Sequence, residues 1–209
     1  MKPNLIILFS GGADSALMLE IARDKGLHPY CILVDYDQNN KIELEFAKRY
    51  LNELSIPSQI VKLYGLGLHS GLTTGEKSLY DGVHEMYVPG RNLMFVSIAA
   101  SIAESMGIGT IWYGADYSDS EFPDCTQPWV EQVNSVLDIN GSYSITLEAP
   151  LEWLTKEQVI MDLEKRGINM GKVFSGYLED NEDRLQLMGK ECNDRICYCQ
   201  NQGACLKNG

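Results

Sequence analysis

Short apolar runs alternate with amphipathic stretches along most of the chain, and the alternation predicts strands followed by helices. Leu5-Ile6-Ile7-Leu8-Phe9 is one uninterrupted apolar run and Tyr30-Cys31-Ile32-Leu33-Val34 is another; such runs suit strands covered on both faces. Between them, Asp14 to Lys25 has helical spacing, with Leu17, Ile21 and Met18 as the buried positions. A helix over Ile42–Glu53 and a strand over Ser58–Leu63 continue the pattern. Tyr64 to Tyr87 breaks it, being rich in Gly, Ser and Thr, aperiodic, and too long for a simple connection; it is a candidate active-site lid. Regular structure resumes with a helix over Asn92–Met106, a strand over Thr110–Gly114, a helix near Pro128–Leu137, a strand near Ser144–Glu148 and a helix over Lys156–Arg166. Strands alternating with helices predict an α/β fold, a parallel sheet with helices on both faces and ligands at the carboxyl ends of the strands.

Composition narrows this picture. A chain of 209 residues suits one domain with a substantial core. No apolar run approaches the roughly 20 residues of a membrane-spanning helix, and Met1-Lys2-Pro3-Asn4 leads straight into a strand without a small-residue cleavage region. A cytoplasmic protein is the expectation. A net charge of −12 argues against broad binding to a nucleic-acid backbone, which needs clustered Lys and Arg. Of six cysteines, Cys192, Cys197, Cys199 and Cys205 crowd into the last eighteen residues, far from Cys31 and Cys125. In a reducing compartment such a quartet reads as a zinc site before it reads as disulfides.

The sharpest chemical signal is Ser10-Gly11-Gly12-Ala13-Asp14-Ser15, between the first strand and the first helix. Adjacent glycines let the backbone turn sharply and bring N–H groups close to an anion, and the helix that follows adds its dipole. Ser10 and Ser15 offer hydroxyl donors. The bland alternative is a tight turn with Asp14 as the N-terminal cap. Two other strings are set aside. Gly71 to Ser78 resembles a phosphate-binding Walker loop but has Glu76 where a glycine is required, and Asn140-Gly141-Ser142 reads as a turn rather than a glycosylation acceptor. The Ser-Gly-Gly-x-Asp-Ser string resembles the signature of PP-loop ATP pyrophosphatases, which cleave ATP between its α and β phosphates.

Further segments sharpen that resemblance. Tyr36-Asp37-Gln38, Val88-Pro89-Gly90-Arg91-Asn92, Phe122-Pro123-Asp124-Cys125, Pro150-Leu151 and Thr155-Lys156 are similar, in order and spacing, to motifs of the 7-cyano-7-deazaguanine synthases. The likeness runs from Leu5 to the C-terminal cysteines. It implies a Rossmann-like PP-loop domain over residues 1–170 with a Cys-rich, zinc-binding extension over 171–209. It also implies ATP and Mg2+ as co-substrate and cofactor, Zn2+ in the tail, a small deazaguanine substrate, and a homodimer. Members of the family activate the carboxylate of 7-carboxy-7-deazaguanine with ATP, transfer ammonia to it, and use a second ATP to dehydrate the amide to a nitrile.

Residue roles follow from the resemblance. Ser10 through Ser15, with Asp35 and Tyr36, would bind the nucleotide. Arg91 and Asn92 would approach the phosphates or the adenylated carboxylate, the alternative being a plain salt bridge. Lys156 would neutralise phosphate charge, although a lysine opening a helix is usually just solvated. Gln38, Asp119, Phe122 and Asp124 would bind the base, Asp124 by accepting from its N–H groups and Phe122 or Trp129 by stacking. Helix capping is the alternative for Asp124, and packing for the aromatics.

The pattern is broken in places. Asp37 stands where the family has glycine, Asn40 where it has histidine, Thr126 where it has arginine, and Gly176 where it has a zinc-binding cysteine, while Gln38 and Glu43 are retained. Cys192 then completes a quartet whose spacing differs from the family's. The departures gather on the acceptor side and the tail. Diverged members of the family occur in antiphage defence clusters, so three readings stand. They are a nitrile-forming synthase, a ligase that passes the deazaguanine to a protein or other amine, and a non-catalytic nucleotide-binding protein.

Overall fold

The computed structural model describes residues 1–38, 42–65 and 88–168. Five parallel strands form one sheet: β1 (Leu5–Leu8), β2 (Pro29–Asp35), β3 (Ser58–Lys62), β4 (Thr110–Trp112) and β5 (Thr146–Glu148). Their order is β3-β2-β1-β4-β5. Five helices connect them: α1 (Ala13–Asp24), α2 (Ile42–Glu53), α3 (Arg91–Met106), α4 (Gln127–Asn140) and α5 (Lys156–Lys165). The parallel α/β fold expected from the sequence is the one observed.

Side chains alternate across the sheet with the period of two that a strand imposes. Leu5, Ile7, Cys31 and Leu33 face one layer, where they pack with α1, α2 and α5. Ile6, Ile32 and Val34 face the other, against α3 and α4. A sheet covered on both faces explains why β1 and β2 read as apolar runs. It also explains why α1 is buried nearly all round, from Ala13 through Ala22, rather than along one stripe; Asp14 and Ile21 are the half-buried exceptions.

Elements differ from expectation mainly at their ends. α4 runs on from Leu137 through an exposed last turn to Asn140, and Gly141 follows at φ −118°. The Asn140-Gly141 pair therefore closes a helix instead of making a tight turn, and the Glu104 carboxylate holds Ser142 through its N–H (2.9 Å) and hydroxyl (2.7 Å). β4 stops at Trp112, short of Gly114, although Tyr113 N still donates to Glu148 O at 3.1 Å. Among the described residues no helix is long and apolar enough to cross a membrane. The lid segment from residue 66, the Walker-like string, and the extension over 171–209 with its four cysteines lie outside the described residues.

β1 sits at the centre, with the chain passing to β2 on one side and to β4 on the other. The crevice above the carboxyl ends of β1 and β4 is the switch point, where open sheets of this kind take their ligands.

Candidate active site

The loop after β1 is shaped by close packing and by its own hydroxyls. Gly11 has φ +88°, and a Cβ there would stand 2.8 Å from Ala47 Cβ and 3.1 Å from Glu43 O of α2. Both the left-handed backbone and the approach of α2 therefore require glycine. The buried Ser15 hydroxyl donates to Gly12 O at 2.9 Å and accepts from Gly11 N at 3.1 Å, while Ser10 Oγ accepts from Gly12 N at 3.2 Å. Ser15 thus ties the loop together through its own hydroxyl. The donors that remain are the first-turn amides of α1, since Ala16 N is the first to find a helical carbonyl, Gly12 O at 3.0 Å. Gly12, not Asp14, is the N-terminal cap.

Asp14 is turned to other work. Lys156 Nζ, from the start of α5, donates to its two carboxylate oxygens at 2.8 and 2.7 Å. The same ammonium lies 2.7 Å from Asp116 Oδ2, beyond the end of β4. Lys156 is largely buried and bridged between two carboxylates, so the solvated reading of a helix-opening lysine does not hold. Burial raises the Asp14 carboxyl to about 6 despite the opposing pull of Lys156, and the Asp116 charge pushes the same way as burial. Burial works against the charge on Lys156, but Asp14 and Asp116 outweigh it and hold the ammonium well above its ordinary range. Gly114 makes the approach of β4 to α1 possible: a Cβ there would lie 3.3 Å from Asp14 Cβ and 3.2 Å from Met18 Cε.

On the other side of the crevice the contacts are longer. Arg91, first residue of α3, lies over the Tyr36 ring, 5.9 Å from its centroid, and its Nη1 donates to the Tyr36 hydroxyl at 3.4 Å. Asn92 Nδ2 donates to Cys125 Sγ at 3.6 Å, and Sγ lies 4.0 Å from Asp124 Oδ1. The Tyr113 hydroxyl donates to Asp124 O at 3.4 Å. Asp124 is buried in a short 3-10 turn, Pro123–Cys125, and Thr126 occupies the cap of α4, so Asp124 is not the capping residue. Burial, then the Asp124 and Asp119 carboxylates, push the Cys125 thiol up to about 12, keeping it protonated. Burial also raises Asp119, reinforced by Asp116 and opposed by Lys156 and Arg91; both halves of the crevice thus act on that carboxyl. Trp129 packs on Tyr113, with centroids 5.6 Å apart, so its aromatic face belongs to the core. Phe122 is half-buried in the same loop.

The loop after β2 explains one departure from the family pattern. Asp37 has φ +62°, and its N–H donates to Asp35 Oδ1 at 3.2 Å. Glycine is the default residue in that conformation, and aspartate is one of the few that tolerate it. Gln38 is buried and folds back, its Oε1 accepting from Tyr36 N at 3.1 Å. Asp35 and Gln38 therefore fix the loop that carries Tyr36.

Sequence reasoning passed over Asp116, Gly114, Ser118 and Tyr113. The available signal was their place directly after an apolar strand, in Ile111-Trp112-Tyr113-Gly114-Ala115-Asp116. No group of three or more metal-ligating side chains gathers among the described residues.

The comparisons agree with this geometry. The fold matches a predicted subunit of a tRNA methyltransferase from Methanocaldococcus jannaschii, with a TM-score of 0.54, 14% identity, and coverage of 84% of this chain and 94% of that one. It also matches the U34-tRNA thiolase NcsA from Methanococcus maripaludis, with a TM-score of 0.55, 15% identity, and coverage of 89% and 65%. At that identity the likeness is one of fold. A curated 7-cyano-7-deazaguanine synthase from Alcanivorax borkumensis is 32% identical over 210 residues, covering 95% of this chain and 92% of its own. Another, from Geotalea daltonii, is 30% identical over 190 residues, covering 85% and 83%. The model of the queuosine biosynthesis protein QueC matches residues 4–205, and the chain belongs to that family.

Proposed function

We propose that the protein is an ATP-dependent enzyme that adenylates the carboxylate of 7-carboxy-7-deazaguanine. The observation that carries this reading is the meeting of the α1 N-terminus with the Lys156 ammonium at the β1–β4 switch point. Free amides and a fixed cation suit a triphosphate. Magnesium would enter on the phosphates and neutralise their charge. The substrate carboxylate attacks the α-phosphorus and pyrophosphate leaves. Lys156 and the first-turn amides of α1 oppose the charge gathering on the leaving group. Arg91 and Asn92, at the opposite wall, would hold the adenylated carboxylate, with Asp119, Phe122 and Asp124 receiving the base.

Ammonia then attacks the acyl carbon and expels AMP, giving the amide. In the second round the amide oxygen is adenylated, the nitrogen loses its protons, and AMP leaves with that oxygen, giving the nitrile. The positive-φ geometry of Asp37 supports this reading, because the exchange from glycine keeps the loop's shape. A second reading, transfer of the acyl group to an amine on a protein, is favoured by Thr126. Its hydroxyl donates to Pro123 O at 2.9 Å, and it puts no cation where the family has arginine. Zinc would be held by Cys192, Cys197, Cys199 and Cys205, four thiolates of the type the metal prefers.

Mass spectrometry of reactions with Mg-ATP and the deazaguanine acid, with and without ammonium, tests the proposal. AMP with ammonium-dependent amide and nitrile supports the synthase, and pyrophosphate with a persistent adenylate supports the other acceptor. Absence of both pyrophosphate and AMP refutes both. Less than half an equivalent of zinc in gently purified protein refutes the metal assignment.

A further inference from the structure

Lys156 is gripped at both ends by one turn. Its backbone N–H donates to Ser118 Oγ at 3.1 Å, and its ammonium lies 2.7 Å from Asp116 Oδ2. The turn is itself anchored, because Asp116 Oδ1 accepts from Ser118 N at 2.8 Å and Tyr117 N donates to Leu154 O at 2.9 Å. The Asp116 side chain is 0% exposed, whereas that of Asp14 retains 22% of its exposure. A carboxylate so buried demands a charged partner, and Lys156 supplies it. Asp116 comes from the loop after β4 and Lys156 from the start of α5, and Asp14 completes the bridge from α1.

We propose that Asp116 is a positioning residue for the phosphate chemistry, holding the Lys156 ammonium over the N-terminus of α1. Asp14 alone would leave a long, flexible side chain with one half-open partner. Asp116 adds a second, dry anchor, so the cation stands in place before pyrophosphate charge develops. Stabilisation of that kind acts in the transition state and appears in kcat rather than in KM. The catalytic half of the proposal rests on the ATP reading above; the clamp does not.

A double-mutant cycle with Lys156→Met and Asp116→Asn tests both halves on the full chain. Asparagine keeps an acceptor for Ser118 N and removes the charge. For AMP formation, Lys156→Met is expected to cost about 100-fold in kcat. Asp116→Asn is expected to cost about tenfold, with KM for ATP changed less than about threefold. On the Lys156→Met background, Asp116→Asn should cost no more than about twofold further, since its effect passes through the lysine. In the free protein, Lys156→Met is expected to lower the melting midpoint by roughly 10 °C, leaving two buried carboxylates without their cation. Adding Asp116→Asn should then raise the midpoint. Equal kcat losses with and without Lys156, or a further fall in midpoint in the double variant, overturn the proposal. If wild type makes neither pyrophosphate nor AMP, the ATP reading fails, and the midpoints alone still decide whether the clamp exists.

Discussion

On the proposed phosphate side of the crevice, charged groups meet at 2.7 to 2.8 Å and glycines allow backbone and helix to touch. On the proposed base side the side-chain hydrogen bonds of Arg91, Asn92, Tyr113 and Cys125 run from 3.4 to 4.0 Å and involve a thiol, a phenol ring and a guanidinium. The first arrangement is over-determined: each member has partners on different elements, and no member can move alone. The second is looser, and the family departures at Asp37 and Thr126 border it. A site that must always do the same chemistry to ATP gains from rigid preorganisation. In the proposed reaction, the side that would meet the acyl acceptor can drift without disturbing that chemistry.

The largest effect that would break this contrast is expected at Gly11. Gly11→Ala sets a methyl 2.8 Å from Ala47 Cβ at φ +88°, and a loss of about 2–4 kcal/mol in urea unfolding is expected. Unchanged stability would mean that α2 does not hold the loop.

Next in size is Asp14→Asn. The folded Asp14 carboxyl titrates at about 6, above its ordinary 3.8. The folded state therefore binds the extra proton, and this stabilising contribution is whole below about pH 4 and lost as pH rises through 6. The variant mimics the protonated form, so it should melt several degrees above wild type at pH 7.5 and converge with it at pH 4, while AMP formation falls sharply. A lower midpoint at pH 7.5 would reverse the balance between burial and the lysine.

Asp37 sharpens the contrast from the other side. Asp37→Val, a β-branched residue at φ +62°, is expected to be about 1–2 kcal/mol less stable than Asp37→Gly, measured by chemical unfolding. Equal stabilities would remove the conformational account of that departure. The smallest effect is expected at Cys125, whose protonated thiol lies between Asn92 and Asp124. Cys125→Ala should raise KM for the deazaguanine acid about three- to tenfold and leave KM for ATP within about twofold; Cys125→Ser should restore most of the loss. A change in KM for ATP instead would join the two sides.

Much of this was legible before the structure. Parallel strands buried on both faces leave long apolar runs, so β1 and β2 were found to within a residue or two. Glycine pairs after a strand mark a loop whose backbone must do what side chains cannot, and Gly11 does so. Arg91, Asn92, Asp119 and Asp124 were singled out by motif resemblance; the fold sets Asn92 against Cys125, beside Asp124, and Arg91 within electrostatic reach of Asp119. Asp116 was missed because its place after an apolar strand does not reveal its partner, Lys156, which the fold brings from α5. The part Ser15 plays in shaping the loop was not legible, because its acceptor, Gly12 O, is fixed only by the folded turn.

The chain's own pattern determined the alternation of strands and helices, the glycine loop and the family. Those are local properties, written in periodicity and in residues without a Cβ. The tertiary structure decided what the charges do. Lys156 and Asp14 stand 142 residues apart in sequence and 2.7 Å apart in space. Whether a lysine is solvated or clamped depends on desolvation and on partners brought by the order of the strands. Neither quantity resides in the residues beside it.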